Sequence, residues 1–149
     1  EGTWANDLMD GDGRFSVGTK GDGYEGQWKA GKKHGEGKEA TSSETYSGGF
    51  ADGVRSGIFG TWGLRDGTHF EGEFGNGLRH GKGRAVLASG DEYDGEWQKG
   101  QRHGQGTMIY KRAGDDGVLV AYKSYTGAWV KDARRDKETV TRLASDQCN

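Results

Sequence analysis

The stretch that decides the fold is Tyr-Asp-Gly-Glu-Trp-Gln-Lys-Gly-Gln-Arg-His-Gly-Gln-Gly at residues 93–106. Residues 24–37 and 70–83 repeat its pattern, in which two aromatic residues flank a glycine and three further glycines follow at fixed distances. Looser copies begin at Tyr46 and Tyr125, and the chain opens on the remainder of another copy. The copies recur about every 23 residues, the sign of a repeat architecture. Their first glycines are Gly2, Gly26, Gly48, Gly72, Gly95 and Gly127.

Each copy is predicted to form a β-hairpin. The period-two alternation of Tyr24, Gly26 and Trp28 puts all three on one face of a strand. Gly31 and Gly35 then bracket a short turn, and a second strand follows. This second strand adds pairs of side chains to the same face: Phe15/Val17, Trp62/Leu64, Ala85/Leu87 and Met108/Tyr110. Because one hairpin is marginal in water, the copies must stack to be stable.

The predicted fold is therefore all-β, an elongated single-layer array of about six stacked β-hairpins, roughly 55 Å long. The array covers residues 1–135, and residues 136–149 form a C-terminal cap, as a short helix, or a frayed tail. The longest interval between copies holds an insertion at residues 111–122. The units lie near residues 1–23, 24–45, 46–69, 70–92, 93–124 and 125–135.

The composition agrees with a thin, aromatic core. The 149 residues include 30 glycines and no proline, and 11% are aromatic. No apolar run approaches the length of a membrane span. The net charge is −2, from 21 Lys and Arg against 23 Asp and Glu, so no broad nucleic-acid-binding face is expected.

The aromatic and glycine positions of the repeat are predicted to form the structural core. A single-layer sheet with few aliphatic residues cannot cover both of its faces, so part of the aromatic face is expected to remain open as a groove for a peptide or helix of a protein partner. The predicted core residues are Trp4, Tyr24, Gly26, Trp28, Tyr46, Gly48, Phe50, Phe70, Gly72, Phe74, Tyr93, Gly95, Trp97, Tyr125, Gly127 and Trp129.

A column of basic residues occupies the same place in successive units, near each turn. One interpretation is a basic stripe along one edge, suited to an acidic partner or to anionic lipid headgroups. The other is a solvated turn face whose charges are offset by an acidic column at Glu25, Glu71 and Asp94. The basic column consists of Lys33, Arg55, Arg79, Arg102 and Arg134.

The sequence predicts no catalytic residue, cofactor or metal site. His34, His80 and His103 follow three of the basic residues, but equivalent positions in adjacent units lie about 9.5 Å apart, too far to share a metal ion. The Gly-x-Gly-x-x-Gly motif at residues 21–26 runs into a strand and not a helix, so it is not a dinucleotide site. The acidic residues at 10–13 lack the spacing of a calcium loop.

The aromatic and glycine spacing resembles the MORN repeat (membrane occupation and recognition nexus) over about residues 1–135. Several positions depart from that pattern. Asp7 and Asp132 replace glycines, Glu39 takes an inward position of its strand, and residues 57–60 stand one residue out of step, which predicts a β-bulge.

The resemblance implies a non-catalytic scaffold or adaptor that binds protein partners in a cytoskeletal, ciliary or membrane-associated assembly of the cytoplasm. It also implies homo-oligomers formed through terminal repeats. Two alternatives remain open: a module that binds anionic phospholipid, and the targeting segment of a longer enzyme such as a lipid kinase or lysine methyltransferase.

Overall fold

The computed structural model describes residues 1–18, 21–135 and 140–143, and no helix occurs among them. The strands are β1 (Gly2–Ala5), β2 (Leu8–Val17), β3 (Asp22–Lys29), β4 (Lys32–Ala40), β5 (Glu44–Ala51), β6 (Val54–Leu64), β7 (His69–Gly75), β8 (Leu78–Val86), β9 (Glu92–Gln98), β10 (Gln101–Ala113), β11 (Leu119–Val130), β12 (Ala133–Arg134) and β13 (Val140–Arg142). They form one antiparallel sheet in which β1 to β12 follow each other in chain order. Six consecutive hairpins thus build a single elongated layer, and the predicted fold class is confirmed.

Two-residue turns close the hairpins. Ala30 and Gly31 both have positive φ, 48° and 76°, and the other five hairpins turn the same way. This geometry matches the right-handed twist of paired strands. Asp7 and Asp132, which replace glycines, hold φ of 60° and 67°, a conformation that aspartate tolerates.

A row of glycines crosses the sheet, one from each of β1 to β11. In units two to six the row leaves room for the first aromatic ring of the unit, which lies against the backbone. A Cβ added at Gly60 would lie 2.8 Å from the Tyr46 hydroxyl, and one at Gly127 would lie 2.6 Å from the Tyr125 hydroxyl. The row comprises Gly2, Gly13, Gly26, Gly37, Gly48, Gly60, Gly72, Gly83, Gly95, Gly106 and Gly127.

The predicted aromatic core exists over units two to six, but its first member lies outside it. Trp4 is 63% exposed, because no described ring packs against it, so its assignment to the core is wrong. Trp28 is only half-buried. Phe15 and Val17 face the predicted side, yet both remain exposed. The buried aromatic residues are Tyr24, Tyr46, Phe50, Phe70, Phe74, Tyr93, Trp97, Tyr125 and Trp129.

Edge-to-face ring contacts run from unit to unit. Tyr93 packs against Trp97 of its own unit and Trp129 of the next, with ring centroids 5.2 Å apart in both cases. Its hydroxyl donates a hydrogen bond to the carbonyl oxygen of Glu96, and burial raises the pKa of Tyr93 to about 12. Edge-to-face contacts stabilise the fold by more than the apolar area they bury would suggest. This extra contribution matters in a core that is only one ring thick.

The second strand of each regular unit contains a bulge centred on a glycine. Gly81 has φ of 57°, and the Glu73 side chain lies over it and accepts a hydrogen bond from the backbone N–H of Lys82 at 2.9 Å. Gly35 therefore belongs to the bulge of β4 and not to the turn, because the turn ends at Gly31. Gln27 and Glu96 serve the same purpose in their units.

Unit three departs from this design. Gly49 stands where the bulge acceptor would be, and the register between β6 and β7 shifts between Gly57 and Gly60. The predicted bulge is therefore present. Its extra residue leaves Ile58 and Phe59 largely exposed.

At the C-terminal end, the insertion at residues 111–122 lengthens β10 and β11 and does not form a separate loop. Of the segment predicted as a cap or tail, the structure describes residues 140–143. Residues 140–142 form β13, which pairs with β11 from Lys123 to Tyr125, so a helix is wrong for these residues. The rest of that segment lies outside the described residues.

Candidate functional site

The basic column lies on the aromatic face and not along a separate turn edge, which corrects that interpretation. Each member is the cross-strand partner of the second aromatic residue of its unit, and residues directly opposite share a face. Unit one carries Met9 opposite Trp4 in place of a cation. The other pairs are Trp28–Lys33, Phe50–Arg55, Phe74–Arg79, Trp97–Arg102 and Trp129–Arg134.

The cations of this column stack on the rings. The Arg79 guanidinium lies 4.4 Å from the Trp97 ring centroid, and that of Arg102 lies 4.7 Å from the ring of Trp129. All members except Arg134 are half-buried. The column therefore forms the outer layer of a thin core, and its charges are not fully solvated.

Carboxylates on the same face neutralise three of these cations. Glu39 pairs with both Lys33 and Arg55, Glu44 pairs with Arg55, and Asp132 pairs with Arg102 at 3.0 Å. Burial alone would raise the pKa of Glu39, but the hydrogen bonds and the positive charges of Lys33 and Arg55 together outweigh burial and hold that pKa below its ordinary value.

The acidic column predicted from the sequence does not lie on the aromatic face. Glu25, Glu71 and Asp94 lie opposite Lys38 and Arg84 on the other face of the sheet. They form no ion pair with the basic column within the described residues. The interpretation that the two columns offset each other is therefore wrong.

The first unit carries an open apolar surface on the aromatic face. Trp4, Leu8, Phe15 and Val17 are exposed, and they line a cavity of about 700 Å³ together with the half-buried Trp28. The aromatic face is thus open at this end, whereas farther along the cations of the basic column stack on the rings.

The comparison with protein families agrees with this geometry. The model of the MORN repeat matches residues 1–16, 24–43, 70–92 and 93–112, together more than half of the chain. The chain belongs to the MORN repeat family. The looser copies that begin at Tyr46 and Tyr125 lie outside the matched residues. A search of curated proteins found no match.

One position of this MORN array varies in chemistry from unit to unit. It lies on the second strand, in register with the first aromatic residue of the following unit, and we call it the variable column. Its members are Phe15, Glu39, Trp62, Ala85 and Met108.

Two members of the variable column contact the cation of the following unit. Glu39 forms an ion pair with Arg55, and the ring centroid of Trp62 lies 5.2 Å from the guanidinium of Arg79. The sequence signal for the ion pair was Glu39, a charged residue at an inward position, but its partner Arg55 was not predicted.

Within the described residues, no group of His, Cys, Asp and Glu side chains is arranged to hold a metal ion. In the same part of the chain, no helix is long and apolar enough to cross a membrane.

Proposed function

We propose that this MORN array is a non-catalytic scaffold or adaptor that binds a protein partner on its aromatic face, in a cytoskeletal, ciliary or membrane-associated assembly of the cytoplasm. The observation that carries the proposal is the variable column. Its five side chains differ in chemistry, although the neighbouring glycine and ring positions keep theirs. Repeat arrays commonly bind partners along such extended surfaces.

The arrangement of charge favours a protein over an anionic lipid surface. A lipid-binding stripe needs cations that are exposed and unpaired. Lys33, Arg55 and Arg102 are instead half-buried and paired with carboxylates. Their local charge is largely cancelled before any ligand arrives.

Affinity capture from cells of the source organism tests this proposal. The bait is the chain itself, compared with a variant of the aromatic face, Phe15→Ser with Trp62→Ser, and with a variant of the opposite face, Lys38→Ser with Arg84→Ser. We expect protein partners that the first variant loses and the second keeps, provided that thermal melting shows both variants to be folded. Equal capture by both variants would show that the aromatic face is not the binding surface. If the chain instead sediments with phosphatidylserine vesicles but not with neutral vesicles, the lipid alternative is favoured.

A further inference from the structure

Arg79 is the cation of the basic column whose surroundings are most apolar. Its guanidinium lies 4.4 Å from the ring centroid of Trp97, 5.2 Å from that of Trp62 and 5.8 Å from that of Phe70. Three rings thus surround one charge at the centre of the array.

Few N–H groups of this guanidinium bond to other residues. Among the described residues it donates one hydrogen bond, to the carbonyl oxygen of Gly100 at 2.7 Å, and an arginine carries five N–H groups. Within the described residues, no carboxylate lies within ion-pair distance of it, in contrast to Arg55 and Arg102. Burial lowers the pKa of Arg79 below its ordinary value, so the environment of the unpaired charge is unfavourable.

The variable column gives the difference from Arg55. The turn of the following unit gives the difference from Arg102, which pairs with Asp132 where Arg79 meets Gly100. Arg55 meets a carboxylate at Glu39, whereas the equivalent contact of Arg79 is the ring of Trp62. An aromatic ring attracts a cation but accepts none of its in-plane hydrogen bonds. The edge of the guanidinium therefore remains available to a planar anion.

We propose that Arg79 is the specificity-determining residue of the aromatic face, and that it pairs with an aspartate or glutamate side chain of the bound protein. The rings of Trp62 and Trp97 beside Arg79 suit a segment in which this acid lies between apolar side chains. This inference rests on the proposed function and adds the chemistry of the partner at one position. A carboxylate fits the bidentate geometry of arginine, and excluding water at this position strengthens the pair.

The test uses the full chain labelled with ¹⁵N and a blocked tripeptide with glutamate between two leucines. The signals followed are the Arg79 Nε–H and the Trp97 indole N–H. We expect saturable shifts of both, and about tenfold weaker binding of the same peptide with glutamine in place of glutamate, since a hydrogen bond to a charged group contributes roughly that much. The glutamate peptide should not bind Arg79→Gln, and it should bind Arg79→Lys more weakly than the parent.

Arg84→Gln is the matched control, because it removes the same charge from an arginine that is 56% exposed on the opposite face. Its affinity for the glutamate peptide should equal that of the parent. Equal binding of the two peptides, no binding of the glutamate peptide, or full affinity in Arg79→Gln would each overturn the inference. Tighter binding of inorganic phosphate or phosphatidylserine vesicles at these signals would overturn it in favour of a lipid.

The two proposals fail in different ways. If partner capture depends on Phe15 and Trp62 but the glutamate peptide does not bind, the aromatic face still docks a protein and only the pairing at Arg79 is lost. If the peptide binds and capture is indifferent to the aromatic face, the proposed function is lost.

Discussion

The indole Nε1 of Trp97 donates a hydrogen bond to the carbonyl oxygen of Gly83 at 2.9 Å, across the boundary between two units. Trp129 makes the same bond to the preceding unit at Gly106. Because the acceptor belongs to the glycine row, each of these tryptophans contacts the backbone of the preceding unit as well as the side chains of that unit. The stability of a unit therefore depends on its neighbour, as expected for a repeat array.

Replacing Trp97 should be severely destabilising. We expect Trp97→Ala to lower the free energy of unfolding by about 3–5 kcal/mol, since it leaves a cavity between two regular units. Trp97→Phe should cost less, because it keeps a six-membered ring in the packing, although it loses the second fused ring and the hydrogen bond to Gly83. Denaturant unfolding followed by circular dichroism measures both. Trp4→Ala is the control, with an expected change within about 0.5 kcal/mol because that ring is exposed; a similar loss in both alanine variants would contradict the assigned core.

The glycine row predicts a second difference. A Cβ added at Gly95 would lie 2.5 Å from Gly106 Cα and 2.7 Å from the Tyr93 hydroxyl, so the backbone must shift. We expect Gly95→Ala to cost about 1–3 kcal/mol and Gly95→Val to cost more. At Gly63 the nearest atom would be 3.5 Å away, so Gly63→Ala should unfold near the parent midpoint. Equal midpoints for the two alanine variants would count against close ring-to-backbone packing.

The ion pairs of Glu39 predict a dependence of stability on pH. Its pKa lies below the ordinary glutamate value in the folded chain. Its contribution is therefore present above about pH 4.3, the unfolded value, and is lost as the pH falls through the lower folded pKa. Unfolding midpoints measured from pH 7 to pH 3 should fall less steeply in Glu39→Gln than in the parent. The control Glu25→Gln, an exposed carboxylate of the opposite face, should follow the parent curve.

The strand β13 predicts an effect on association. It covers the edge of β11 from Lys123 to Tyr125, and an uncovered edge is a template for pairing with another chain. Deleting residues 137–149 should therefore raise the mass measured by light scattering as the concentration increases. Deleting only residues 144–149 keeps β13 and should leave the mass unchanged. An unchanged mass after the longer deletion would exclude this edge as an interface.

Much of this architecture could be predicted from the sequence, because the aromatic and glycine spacing reports directly on the pleat of the strands. The location of the basic column could not. Lys33 was placed at the turn because Gly31 and Gly35 flank it, but two residues suffice for the turn, so Lys33 already belongs to β4. The assignment of Trp4 to the core failed because spacing identifies a face and does not show what covers it. The ion pairs of Glu39 depended on side-chain reach across two units, which no local pattern encodes.

The variable column has a consequence for how a partner is aligned. Phe15, Glu39, Trp62, Ala85 and Met108 follow one another in an order that never recurs, and a partner displaced by one unit would set each of its groups against a different chemistry. The repeated glycines and rings would present the same surface after a shift of one unit, whereas the variable column would not. The periodic array would thereby bind the proposed partner in one register and one direction along its length.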